Sequence, residues 1–141
     1  DRSPSRGLGD VYKRQAQFFA DALQIETPSV LAAVIERSFG DLEGELVYLE
    51  DGSRRSLDHP TVESTDAVVE RVLPALRELA SMHPHEDVLV ITHGSVVRLV
   101  LQAILGRTAP GINNLGYSVI ETADSPTGFV VRVANGYPVA T

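Results

Sequence analysis

The sequence predicts an α/β fold of three layers, α/β/α, on a mixed and mostly parallel sheet. Three observations predict it. Val88-Leu89-Val90 and Ile91-Thr92 form a short run bounded by polar residues on one side and by His93-Gly94 on the other. Runs of that length, rich in Val and Ile, mark parallel strands buried on both faces. Beyond Gly94 the apolar residues switch to helical spacing, and further on two β-branched runs flank a Ser125-Pro126-Thr127-Gly128 turn. Strand, helix and strands in that succession point to helices laid on a sheet.

Each element follows from local pattern. Phe19 and Leu23, one turn apart, predict a helix from about Ala16 to Leu23. Residues 24–60 are expected to be mostly irregular, holding Glu36 and a polar stretch, Glu50-Asp51-Gly52-Ser53. A long helix is predicted from about Glu63 to Met82, with Val69, Val72, Leu73, Leu76, Leu79 and Ala80 on one face and Thr61 or Asp58 as its cap. Pro74 removes a hydrogen bond inside it and should bend the axis. His85-Glu86-Asp87 then bounds the strand that leads to His93. Val96, Val97, Val100, Leu101, Ile104 and Leu105 recur at helical spacing, Leu99 and Ala103 widen the stripe, and Gly106 stands where the helix should stop. A helix apolar on so much of its surface packs inside a domain. Ser118–Glu121 and Gly128–Val133 predict antiparallel strands, and Asn135-Gly136 a final turn.

Composition narrows the class. A chain of 141 residues, 43% of them apolar, suits one domain with a real core. The formal charge is −7, and an acidic surface argues against nucleic acid or an anionic membrane as partner. There is no cysteine, hence no disulfide and no thiolate chemistry, which fits a cytoplasmic protein. No apolar stretch approaches the ~18 residues of a membrane span.

The chemistry concentrates at two places. His93 stands at the carboxyl end of the expected strand, where open α/β sheets leave a crevice and the next helix directs its free N–H groups into it. Gly94 lets the backbone approach a bound group closely. An imidazole beside unpaired amide donors suits an anion, with phosphate the leading candidate. The second place is Glu36-Arg37-Ser38-Phe39-Gly40-Asp41-Leu42-Glu43-Gly44, an acid and a base followed by a turn with two glycines. A helix start at Glu63-Ser64 lies between the two places.

Those three segments, in that order, resemble the histidine phosphatase superfamily, also called phosphoglycerate mutase-like, from about Ala16 to the C-terminus. The resemblance implies a phosphoglycerate mutase-like fold and hydrolysis of a small phosphomonoester through a phosphohistidine intermediate, with no metal and no cofactor. It implies roles as well. Glu36 would protonate the leaving alkoxide and then activate water. His93 would stabilise charge on the transferring phosphoryl oxygens, and Gly94 would offer them its N–H. Arg37 would grip the substrate's non-reacting anionic end, or else serve only as the ion-pair partner of Glu36. Two alternatives stay open. One is a phosphoglycerate mutase, against which the short connection from Gly44 to the Glu63 helix argues. The other is a non-catalytic member that binds a phosphorylated ligand or a partner protein.

Other polar residues fit plainer readings. Arg54-Arg55-Ser56 resembles a substrate-gripping stretch of the mutases, but the short connection favours a solvated loop. His59, His83 and His85 sit beside prolines as expected for surface turns, and no third ligand motif makes His83, His85 and Glu86 a metal site. Ser95 follows a strand and opens a helix, yet the G-x-S-x-G of a nucleophile elbow is missing. Asn113, Asn114 and Tyr117 precede a strand near the expected site.

The start of the chain is of another kind. Ser5 to Gln15 matches the in-frame translation of a common transposase-tagmentation adapter, so residues 1–15 are expected to be adapter-derived and 16–141 a truncated histidine phosphatase domain. Without the first fifteen residues, whose net charge is +2, the remainder carries −9. In the family the attacking histidine lies in an Arg-His-Gly motif on the first strand, and no Arg-His-Gly occurs here. A further phosphate-binding arginine, in an R-A-x-x-T stretch, would fall just before Ala16. The expectation is a domain lacking its first strand, catalytically inactive as it stands.

Overall fold

The computed structural model describes residue 14 and residues 16–24, 29–44, 48–109 and 111–140. Apart from Arg14, the adapter-like segment lies outside them. Residues 16–23 form a helix, α1, as the sequence predicts. Its inward residue is Ala20, however, and Leu23 is exposed. Phe19 meets Phe18 edge to face with ring centroids 5.9 Å apart. Single 3-10 turns follow at Ala32–Val34 and Gly40–Leu42. The polar stretch closes a small hairpin, in which Tyr48 bridges Arg54 and Gly52 turns the chain at φ +82°.

The long helix α2 spans Thr65–Met82. Ser64 caps it, its hydroxyl accepting the Ala67 N–H at 3.0 Å, so neither Thr61 nor Asp58 does. Thr61 serves the Glu36 loop instead, its hydroxyl accepting from the Asp41 N–H at 2.8 Å. The buried stripe of α2 is Val68, Val72 and Leu73, flanked by Val69, Leu76 and Ala80, a face turned slightly from the predicted one. Pro74 lies on the exposed side, where its missing N–H leaves a carbonyl open to water.

Helix α3, Gly94–Leu105, ends as predicted: Gly106 adopts the left-handed conformation at φ 68° and its N–H reaches the Gln102 carbonyl. Almost every side of α3 is covered. Val96, Leu99 and Val100 pack with Val68, Val72, Leu73 and Phe129, while Leu101 joins Ala109 and Val131 in a second cluster. Wedged between α2 and a strand pair, α3 keeps only Ser95, Arg98 and Gln102 polar along one line, and burial on its other sides explains the apolar residues there.

The sheet is a correction. Strands β1 (Val119–Thr122), β2 (Phe129–Ala134) and β3 (Tyr137–Pro138) form one antiparallel sheet in that order. The predicted pair and its turn are there, with Ile120 opposite Val131 and Thr122 opposite Phe129. A mostly parallel sheet is not found among the described residues. Val88–Ile91 belongs to no strand among the described residues, and Val88 and Leu89 are 43% and 56% exposed. A run of this kind becomes a strand only when neighbours complete its ladder. Just beyond it, Thr92 ties the segment to the Glu36 side, its Oγ1 donating to the Val34 carbonyl at 2.6 Å.

Candidate functional site

Two loops and a helix end make the site. His93 is the residue before α3, extended at φ −104° and ψ 151°, so its side chain and the first N–H groups of the helix share one end. Glu36 arrives on the loop after the Ala32–Val34 turn. Its Oε1 accepts the Arg37 N–H at 2.8 Å, which orients the carboxylate, and its Oε2 lies 3.5 Å from His93 Nδ1. The acid and the imidazole, distant in sequence, are thus neighbours. Burial holds the His93 pKa below its ordinary value, and the Glu36 carboxylate opposes that by favouring the imidazolium.

Gly94 opens α3. A Cβ built on it would meet Ile112 at 3.7 Å, an ordinary contact, so packing alone does not require glycine there. Gly40 differs. It holds φ +52°, and a Cβ would stand 2.1 Å from the Thr61 carbonyl oxygen. That close approach lets the 36–44 loop lie on the segment before α2, where the Glu63 N–H donates to the Ser38 carbonyl at 2.8 Å.

Arg37 is 8% exposed, the buried charged residue of the described chain. Its Nε donates to the Glu63 carbonyl at 2.7 Å and its guanidinium lies 5.7 Å from the centre of the Phe39 ring. Neither sequence-level role fits that placement well. The bond to Glu36 runs through the Arg37 backbone, and the side chain braces the loop.

Arg71 escaped the sequence reading, and Glu63 figured there only as part of a helix start. Arg71, on α2, grips the Glu63 carboxylate with two nitrogens, at 2.8 Å through Nε and 3.0 Å through Nη2. It also donates to the carbonyls of Ala33, Ile35 and Glu36. Glu63, held by Arg71, accepts the Ser38 N–H at 3.1 Å and has its pKa lowered chiefly by the Arg71 hydrogen bonds. The available signal was weak: Glu63 and Arg71 are eight residues apart, about two helical turns.

Among the remaining candidates, His83 pairs with Glu86 at 3.1 Å, and no group of three or more metal-ligating side chains exists among the described residues. Arg54 is exposed in the hairpin. Asn113 is tied to the final turn, its N–H reaching Asn135 Oδ1 at 3.3 Å. No helix among the described residues is long and apolar enough to cross a membrane.

Comparison with known proteins gives the family. The family described as histidine phosphatase superfamily (branch 1) matches residues 12–133. PhoE of Bacillus subtilis (strain 168), described as an uncharacterized phosphatase, is 30% identical over 73 residues, covering 50% of this chain and 37% of PhoE. The transcriptional activator AmpR of Providencia stuartii is 34% identical over 74 residues, covering 52% of this chain and 25% of AmpR. Among solved structures, Bacillus stearothermophilus YhfR superposes with a TM-score of 0.58 at 24% identity, over 76% of this chain and 60% of YhfR. That likeness shows the fold. The chain spans 37% and 25% of the lengths of PhoE and AmpR and 60% of YhfR, less than two thirds of each.

Proposed function

We propose, since the chain belongs to the histidine phosphatase superfamily (branch 1), that the Glu36–His93 pair at the start of α3 is the acid–base half of a phosphomonoester site. One observation carries the reading: a carboxylate 3.5 Å from an imidazole, at a helix end whose N–H groups favour an anion. The substrate class is a small phosphomonoester, and the setting is cytoplasmic.

In the family's chemistry an imidazole nitrogen attacks phosphorus, the ester P–O bond breaks, and a phosphohistidine forms. Glu36 gives its proton to the departing alkoxide. It then takes a proton from the water that attacks phosphorus, breaking the P–N bond and releasing inorganic phosphate. His93 and the Gly94 N–H stabilise the charge spread over the phosphoryl oxygens. Arg37 serves the loop that carries Glu36 rather than the substrate.

The attacking imidazole of the family belongs to an Arg-His-Gly, and none of His59, His83, His85 and His93 stands in one. Residues 16–141 therefore form, in this reading, a histidine phosphatase domain that binds phosphate without turning it over, preceded by an adapter-derived segment.

Thermal unfolding of the chain with inorganic phosphate, alongside p-nitrophenyl phosphate hydrolysis, tests this. Phosphate is expected to raise Tm by mass action, His93→Gln to abolish that rise, and hydrolysis to match buffer alone. A Tm indifferent to phosphate defeats the site; steady turnover that His93→Gln abolishes defeats the inactivity.

A further inference from the structure

Glu36 sits on an irregular loop, and an irregular loop does not fix a carboxylate to within half an ångström unless something holds its backbone. The candidate is on α2. Arg71 is half-buried, and all three of its guanidinium nitrogens are engaged. Two of them grip both oxygens of Glu63. The terminal nitrogens donate to the carbonyls of Ala33, Ile35 and, at 3.3 Å, Glu36 itself. We propose that Arg71 is the positioning residue for Glu36, its guanidinium gathering the carbonyls that lead up to and include Glu36 while Glu63 fixes the plane of the fork.

The inference rests on the reading of Glu36 as the acid beside His93, and it deepens that reading. Its force lies in which carbonyls are taken. An arginine that merely stabilised α2 could bond to any neighbour, yet these three span the residues from the 3-10 turn to the acid. A second tether lies on the other side, where Thr92 Oγ1 bonds to the Val34 carbonyl one residue before His93. The loop is thus pinned from α2 and from the His93 segment together, and the distance between carboxylate and imidazole is set between those pins. Lysine cannot replace the arginine, because an ammonium has no planar fork to hold a carboxylate with two bonds while serving carbonyls beyond it.

The test reads the Glu36–His93 proximity directly and needs no turnover. Diethyl pyrocarbonate acylates only neutral imidazole, so the pH profile of its reaction with the full chain, resolved by peptide mass spectrometry, gives a midpoint for each histidine. Glu36→Gln sets the scale: loss of the carboxylate that favours the imidazolium moves the His93 midpoint to lower pH. Arg71→Lys is expected to move it in the same direction by a comparable amount, and the double variant no further. His59, His83 and His85 are expected to keep their midpoints. Arg77→Lys, an α2 arginine bonded instead to the Thr127 carbonyl, is expected to leave His93 unchanged. A His93 midpoint that stays at its wild-type value in Arg71→Lys overturns the proposal, whatever happens to Tm. An unmoved midpoint in Glu36→Gln overturns it as well, since carboxylate and imidazole would then not be neighbours. Should Arg71→Lys unfold the chain, Glu63→Gln, which weakens one arm of the fork, is judged by the same criterion. Inorganic phosphate that fails to slow the modification of His93 in the wild-type chain defeats the phosphate site and leaves the role of Arg71 standing.

Discussion

At the scale of single residues, the partly buried imidazole of His93 makes stability depend on pH with a definite sign. Its folded-state pKa lies below the ordinary 6.5, so between the two values the unfolded chain binds more protons than the folded one. The contribution is whole above 6.5 and is lost as pH falls toward the folded-state value. Tm is expected to drop on acidification through that window, and His93→Gln to flatten the drop; an identical pH profile in both chains contradicts it. Gly40 and Gly94 make a second comparison. Gly40→Ala forces a left-handed alanine into the Thr61 carbonyl and should cost at least about 2 kcal/mol by denaturant unfolding. Gly94→Ala meets only an ordinary contact, so it should stay within about 0.5 kcal/mol of wild type while weakening the rise in Tm that phosphate gives. If Gly94→Ala binds phosphate undiminished, the glycine is there for the turn alone. Glu36 and His93 were legible because each stands in a short pattern tied to a local turn. Arg71 was not, since its role is a long-range bond to backbone carbonyls, which any exposed-looking arginine on a helix could make or not make.

At the scale of elements, helix starts and stops were readable where a backbone group must be satisfied locally. Gly106 at the end of α3 is such a case. The Asn135-Gly136 turn is another, with both residues at positive φ, 48° and 84°, joining β2 to a short strand the sequence reading had not separated. The α2 cap was misplaced because Asp58, Thr61 and Ser64 are all competent acceptors, and only the path of the loop decides among them. With Ser64 bonded to the Ala67 N–H, Ser64→Ala should cost about 1 kcal/mol, and Asp58→Ala little, in equilibrium unfolding. Equal losses from the two variants would place the cap elsewhere. The Val88–Ile91 run marks where local pattern stops being enough. Its composition is that of a buried strand, but strandness belongs to the ladder, and a ladder is a property of neighbours.

At the scale of the whole molecule, the core is asymmetric. α3 is enclosed between α2 and β2, and truncating its fully buried Leu101 to Ala should cost roughly 2–5 kcal/mol. On the other side, the segment leading into His93 shows Val88 and Leu89 to solvent outside any strand among the described residues. An exposed apolar run that lies in no strand among the described residues is a template for another chain. Two copies meeting antiparallel about the Leu89–Val90 bond would set Val88 opposite Ile91 and Glu86 opposite His93, so no like charges would face each other. Concentration-dependent self-association is the expected behaviour, read by sedimentation velocity across a dilution series. Leu89→Lys places a charge on the exposed run and should shift the population toward monomer without lowering Tm, because Leu89 contributes little to either core cluster. A wild-type chain that stays monomeric at every concentration would show that this edge is already satisfied. Association undiminished by Leu89→Lys would move the contact to another face.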